Sequence, residues 1–323
     1  MGAGPGGAYL FRLLQLERPS LDVSVFDVIP HTKCGIKPCA WGVSWPMFAK
    51  LCVGIDLSPD LYVLSRHQQV LLNGRRVKSN VAFVDKPRLL KEMLKGAAVS
   101  EPLPIYCDAY DRLIDATGVS RAYLSARPEL PLWATIQTEI EVNSPPEPEI
   151  WFSPGGGYSW RFPIGEKGAP VGAGSPLGRE IAEKEMTRIL QEMGSVHAIC
   201  RCSGRLQCRG LLEPFIEGNI WGLGEAIGLV DPATGAGITM AMHSARLMAN
   251  HWDDPKAYQR SLKTTYSYLA HEVRVLDKMA RDDKPTMGDL VRVGRAFGVN
   301  GIKPSLSDIR DLAVDYLRLQ HRR

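Results

Sequence analysis

Apolar positions recur at helical spacing in residues 8–18 (AYLFRLLQLER), where Leu10, Leu13 and Leu14 share a face and Pro19 closes the segment. That pattern predicts a helix. Strict alternation follows in residues 21–28 (LDVSVFDV), with Leu21, Val23 and Val25 on one side, and predicts a strand that ends at Asp27. Further strand-like stretches are Leu113 to Ala116, residues 132–142 (LWATIQTEIEV) and residues 149–154 (EIWFSP). The aromatic segment GGGYSWRFPIG spans 155–165, and a helix is predicted over about 179–193. A strand from Asn219 to Leu223 then leads through a glycine-containing loop to a helix that starts near Ile238. The tail, with LKTTYSYLAHEVRVLDKMA and DIRDLAVDYLRLQHRR, reads as helices. The order predicts an α/β chain in three parts. A discontinuous domain comprises 1–120 and 205–250, a sheet domain at 121–204 is inserted into it, and a helical region covers 251–323.

Two glycine-containing turns carry the candidate chemistry. The chain opens with G-x-G-x-x-G at Gly2, Gly4 and Gly7, directly ahead of the first helix, and Asp27 follows Gly7 by about 20 residues. Glycines there allow close approach to a pyrophosphate, the helix N-terminus supplies N–H groups, and an acidic strand end can meet a ribose hydroxyl. Such a loop normally follows a buried strand, and only Met1 precedes it here. That leaves a start codon placed too far downstream or a degenerate paralogue lacking the first strand. The second turn is GNIWGLGEAIGLVDPATGAGITMAMHSARLMA at 218–249. Glu225 at a strand end is a candidate partner for ribityl hydroxyls. Asp231, Gly235, Gly237 and Ile238 surround a helix start that can face a phosphate or the electron-rich side of a flavin.

Composition narrows the classes. The chain has 323 residues, of which 45% are hydrophobic, enough for a substantial core in two lobes. The net charge of +4 gives no nucleic-acid footprint. Residues 250–323 hold 14 Lys/Arg against 10 Asp/Glu, which is either a solvated helical surface or a weak attraction to anionic lipid headgroups. No apolar run is long enough to span a bilayer and no signal peptide is recognised, so a cytoplasmic protein, or one peripheral at the membrane, is expected. The seven cysteines form no C-x-x-C pair, and neither a disulfide framework nor a metal site is expected.

The chain resembles the geranylgeranyl reductases, flavoproteins related to the aromatic-hydroxylase fold, and in particular the archaeal enzymes that saturate isoprenoid membrane lipids. The resemblance rests on G-A-G-P-G-G at the start, CGIKPCAWGVS at 34–44, Y-x-W-x-F-P at Tyr158, Trp160, Phe162 and Pro163, and the G-E-A…D-P…G-x-G-I segment. It covers most of residues 1–250 and implies an FAD-binding Rossmann-like α/β fold with an inserted antiparallel substrate sheet and a helical C-terminal tail, its first Rossmann strand missing. Residue by residue, Gly6 and Asp27 would contact the adenosine half of FAD, while Cys39, Ala40 and Gly42 would line the isoalloxazine. Glu225, where aspartate is usual, would hold the ribityl chain with Gly237 and Ile238. Lys86 stands where the family has an FAD-contacting arginine, and it offers one point charge in place of a planar fork.

The implied reaction is hydrogenation of isolated double bonds in geranylgeranyl chains. Protonation of a trisubstituted alkene gives a tertiary cation, which a hydride quenches. The resemblance places Cys39 on the flavin side as proton donor or relay. Tyr158, Trp160 and Phe162 would wall the lipid channel, with ring faces that favour a cation. Trp45, in the apolar stretch 41–55, is a further candidate for the alkyl tunnel. The electron donor is open between NAD(P)H and a ferredoxin-like carrier, because no second nucleotide motif is visible. Two rivals are a flavin monooxygenase or halogenase of the same fold and a non-enzymatic isoprenoid-binding paralogue that has lost FAD.

Overall fold

The computed structural model describes residues 2–28, 40–101, 109–127, 132–153, 156–166, 168–194, 196–281, 283 and 286–320. Helix α1 (Pro5–Glu17) begins three residues earlier than its apolar periodicity suggests, because Pro5 at the first helical position has the right φ and needs no N–H partner. It buries Tyr9, Leu10, Leu13 and Leu14 against helix α5 (Ile238–Asn250). A Cβ on Gly6 would stand 3.3 Å from the Ala241 side chain, so the two helices meet closely at that point.

Parallel strands lie beside this helix pair in two separate pieces. Strand β1 (Val25–Phe26) pairs in parallel with β5 (Val99–Ser100), much shorter than the 21–28 alternation predicts. Strand β6 (Leu113–Asp115) pairs in parallel with β13 (Ile220–Gly222), which also pairs antiparallel with β12 (Ile216–Glu217). The two pieces form separate sheets.

An eight-stranded sheet makes up most of the rest. It contains β2 (Gly42–Ser44), β3 (Val63–Leu72), β4 (Arg75–Val84), β7 (Trp133–Glu141), β8 (Glu149–Phe152), β9 (Tyr158–Arg161), β10 (Gly168–Ser175) and β11 (Ala198–Leu206). Their order is β11-β7-β10-β9-β8-β3-β4-β2, antiparallel except where β3 meets β8. Three of its strands thus come from ahead of residue 121. The β3–β4 hairpin turns at Asn73-Gly74, both at positive φ, as a tight two-residue turn requires.

Alternation along these strands gives the sheet two different faces. One carries Ile136, Ile140, Val171 and Ala173 and is covered by Ala182, Met186 and Ile189 of helix α4 (Arg179–Glu192). Burying each of the larger side chains contributes roughly 1.5–3 kcal/mol. The other face presents Gln137, Tyr158, Trp160 and Phe162 to a cavity. Helices α2 (Trp45–Val53) and α3 (Lys86–Met93) complete the first part of the chain. Helices α6 (Pro255–Thr265), α7 (Leu269–Ala280), α8 (Met287–Val299) and α9 (Leu306–Gln320) follow α5. Among the described residues no helix is long and apolar enough to cross a membrane.

Candidate functional site

The cavity of about 150 Å³ lies between the uncovered sheet face and the loop that precedes α5. Tyr158, Trp160 and Phe162 project into it because the alternating Y-S-W-R-F register sends Ser159 and Arg161 to the opposite face, where Arg161 pairs with Glu149 at 3.0 Å. Tyr158 and Trp160 are tilted against each other with ring centroids 5.6 Å apart, and Trp160 stacks on Phe162 at 6.5 Å. Phe83 from β4 continues the aromatic wall, 4.9 Å from Phe162. Ala40, Trp41 and Gly42 close one end, and Gly235, Gly237 and Ile238 form another wall. Among the described residues that line it, none is charged.

Two lining positions are conformationally unusual. Trp41 holds φ 59°, a left-handed backbone rare for a bulky residue and a mark of a segment fixed by its surroundings. Gly235 has φ 67°, and a Cβ there would fall 1.7 Å from the Tyr158 hydroxyl. Only glycine fits beneath that ring.

The loop ahead of α5 is held from below by Asp231, which is fully buried. Its carboxylate accepts hydrogen bonds from Thr234 N–H (2.8 Å), Thr234 Oγ1 (2.8 Å), Ala233 N–H (3.1 Å) and Asn300 Nδ2 (2.7 Å). Burial raises its pKa, and the Thr234 and Asn300 hydrogen bonds oppose the shift. Asp231, expected at the cofactor, is therefore committed to the loop and does not line the cavity. Glu272 of α7 faces it, also buried, and neither of its oxygens has a hydrogen bond of good geometry. Burial first, then the Asp231 charge, pushes the Glu272 carboxyl up to about 10.

The glycine loop sits at the other helix start. A Cβ on Gly2 would stand 2.3 Å from Ala116 O, and one on Gly7 would stand 2.0 Å from Gly2 O, so the loop folds tightly on itself against the end of β6. Gly4, the N-cap of α1, has open space where its Cβ would be, and no side chain caps the helix. Gly237 likewise leaves the start of α5 without a side-chain cap. Both helix ends can thus take an anion. Asp27 directly follows β1, its N–H bonded to Ser100 O at 3.0 Å and its Oδ1 accepting from Val28 N–H.

Lys86 and Glu225 are brought together. Lys86 is buried at the first position of α3, and its charge opposes the rise that burial imposes on the Glu225 carboxyl. Glu225 Oε1 accepts from Gln207 N–H at 2.9 Å. Arg121, which the sequence reading missed, fixes the turn at Glu225. Its buried guanidinium donates to the carbonyls of Ser125 (2.8 Å), Pro214 (2.7 Å) and Ala226. Only its place just after Ala116-Thr117-Gly118, at the end of a predicted strand, could have flagged it.

No protein-family model matches the chain, and no curated protein sequence matches it. Solved structures do. A geranylgeranyl bacteriochlorophyll reductase-like protein from Thermoplasma acidophilum superposes with a TM-score of 0.75 at 17% identity, covering 99% of this chain and 96% of that one. The lanthipeptide tryptophan 5-halogenase MibH gives 0.69 at 13% identity, over 99% and 84%. PqsL, a probable FAD-dependent monooxygenase from Pseudomonas aeruginosa, gives 0.59 at 17% identity, over 86% and 95%. The chain has the fold these three proteins share.

Within that fold the expected residues separate into groups. Ala40, Gly42, Tyr158, Trp160, Phe162, Gly235, Gly237 and Ile238 converge on the one cavity. Gly2 and Gly7 line a small cleft with Val25 and Ala116, apart from it. Trp45 is not among the lining residues. As the first residue of α2 it packs on Phe48, under the Arg66 guanidinium at 3.9 Å, because the next turn of that helix faces the core. Cys39 lies outside the described residues. Among the described residues no three His, Cys, Asp or Glu side chains converge on a metal site.

Proposed function

We propose that the chain is an FAD-dependent reductase that hydrogenates isolated double bonds of isoprenoid chains. The observation that carries this reading is the cavity, walled by aromatic rings and with no charged side chain among the described residues that line it. A chain-like hydrocarbon entering it gains about 0.8 kcal/mol per buried CH₂, with no charge to desolvate.

The residues present fit FAD. The open space at Gly4 and the uncapped start of α1 suit a pyrophosphate, and Asp27 suits the adenosine ribose. Glu225, with Lys86 beside it, suits the ribityl chain, and the start of α5 at Gly237 and Ile238 suits the ring edge. When bound and reduced, FAD supplies a hydride at the cavity.

The chain's own residues do the rest. Tyr158, Trp160 and Phe162 exclude water and offer ring faces to the positive charge that alkene protonation creates. Cys39, next in sequence to Ala40, is assigned as proton donor. One proton and one hydride convert C=C to CH–CH. The electrons come from NAD(P)H or a ferredoxin-like carrier. The substrate is a geranylgeranyl isoprenoid of the kind that builds archaeal-type membrane lipids, which the protein meets at the membrane surface.

The likeness to MibH and PqsL supports a second reading, a flavin monooxygenase or halogenase. A direct test incubates the FAD-loaded chain with geranylgeranyl lipid and dithionite, then weighs the product. Gain of H₂ per double bond supports the reductase. In a parallel incubation under air, with NAD(P)H in place of dithionite, oxygen uptake with a hydroxylated or halogenated product replaces it with the second reading. A colourless protein that still retains lipid points to a non-enzymatic binding protein.

A further inference from the structure

The cavity is not uniformly apolar. Among the described residues, three that line it each carry a buried polar side-chain atom with no hydrogen-bond partner: Trp41 Nε1, Gln137 Oε1 and Trp160 Nε1. Gln137 and Trp160 are only 5% and 6% exposed, so bulk water does not satisfy them. A buried donor or acceptor left unpaired is costly, and such groups in native proteins mark a missing partner.

Strand register brings two of the three together. Gln137 on β7 and Trp160 on β9 both stand opposite Gly172 on β10, one on each side of it. Gly172 lets the indole lie across the middle strand, since a Cβ there would sit 2.4 Å from Trp160 Cζ2 and 2.7 Å from Cε2, the atom bonded to Nε1. The edge of the indole next to its nitrogen thus lies over Gly172, the residue that separates Trp160 from Gln137 across the sheet. An indole N–H only donates and an amide oxygen only accepts. The group that answers both accepts one hydrogen bond and donates another. A hydroxyl does so. A carboxylate or a fully ionised phosphate does not suit the place, because it cannot donate to Gln137 Oε1 and no cation is among the described residues that line the cavity.

We propose that Gln137 and Trp160 form a polar subsite for a hydroxyl group, so that the occupant of the cavity is an isoprenoid alcohol and not a bare hydrocarbon tail. This rests on reading the cavity as the site of an isoprenoid chain. Within that reading it names the group that fixes how deep the chain enters, and hence which double bond lies at the reacting end.

The test uses the full chain in detergent and three probes with one skeleton: geranylgeraniol, its methyl ether and the hydrocarbon lacking oxygen. The expected order is alcohol, ether, hydrocarbon, with the alcohol bound about tenfold more tightly than the hydrocarbon. The ether falls between them, because it accepts from Trp160 and cannot donate to Gln137. Gln137→Met is expected to bring alcohol and ether to equal affinity. Trp160→Phe lowers alcohol and ether affinity by a larger factor than hydrocarbon affinity, and hydrocarbon affinity retained in Gln137→Met reports an intact cavity. Equal affinity of the wild-type chain for all three probes would overturn the subsite and leave the isoprenoid reading standing. Failure to bind any of them would overturn both. The ligand series in the wild-type chain decides the matter even if a variant fails to fold.

Discussion

The Tyr158 hydroxyl lies so close above Gly235 that a β-carbon at that glycine would fall 1.7 Å from it. The contact joins the cavity face of the large sheet to the loop ahead of α5. Gly235 also holds φ 67°, so alanine there meets both a clash and a strained backbone. Gly235→Ala is expected to cost roughly 1–3 kcal/mol in urea denaturation. Tyr158→Phe removes the hydroxyl and leaves Cζ, 2.8 Å from the same point, as the nearest obstacle. In that background the alanine is therefore expected to cost at least ~0.5 kcal/mol less. Equal cost in both backgrounds would show that backbone strain alone is responsible.

Gly4 separates folding from cofactor binding. It is the N-cap of α1, with extended backbone and nothing within 4 Å of its Cβ position. Gly4→Asp therefore fits, and it caps the helix for a gain of a few tenths of a kcal/mol. The same carboxylate repels a pyrophosphate at the helix end. The expected result is an unchanged or slightly higher melting temperature together with at least about tenfold less bound FAD, scored by absorbance after denaturation. Wild-type flavin content in this variant would remove the α1 terminus from the cofactor site.

Glu272 predicts a pH signature. Its carboxyl is raised from an ordinary 4.5 to about 10 by burial and by Asp231. A raised folded pKa means the neutral form is the one the fold favours. Its contribution is complete below pH 4.5 and is lost as pH climbs toward 10, by at most about 1.4 kcal/mol per unit. Glu272→Gln is neutral throughout. Its stability relative to wild type is expected to rise steadily between pH 6 and 9, measured as the difference in urea midpoints. A flat difference would mean that Glu272 is ionised and satisfied.

Thiol labelling tests the core. Burial pushes Cys52 up to about 12, and Cys208, with 2% exposure, also lies well above the ordinary thiol range. At pH 8 iodoacetamide is expected to leave both unmodified in the native chain and to reach them only in denaturant. Cys200 and Cys202, half-buried on the edge strand β11, are expected to label first. Early labelling of Cys52 would show that the α1–α5 core opens locally.

Local patterns were the readable part of this chain. Helix α5 starts at Ile238, where the glycines end, and the Tyr158–Trp160–Phe162 face follows directly from period-two alternation. The β3–β4 hairpin is legible in Asn73-Gly74, but its strands lack regular alternation, since each carries a run of consecutive polar residues, Ser65–Gln69 and Lys78–Asn80. Gln137 could have been noticed as an uncharged polar residue among the apolar and β-branched positions of β7. Trp45 and Trp41 are separated by one helix start, and sequence alone does not say which of them meets the cavity. The Asp231–Glu272–Asn300 cluster was out of reach, since it joins a loop, α7 and the end of α8, which only tertiary packing brings together.

Strand β10 reads Gly-Ala-Pro-Val-Gly-Ala-Gly-Ser, and at Gly172 and Gly174 it offers no side chain to the cavity face. The Trp160 ring can lie against the strand because Gly172 lacks a methyl group. The reach of the site is therefore measured from beneath, by atoms left out of the sheet floor. One added carbon at Gly172 would displace the Trp160 ring and shorten the molecule that fits, without altering any residue that handles protons or cofactor.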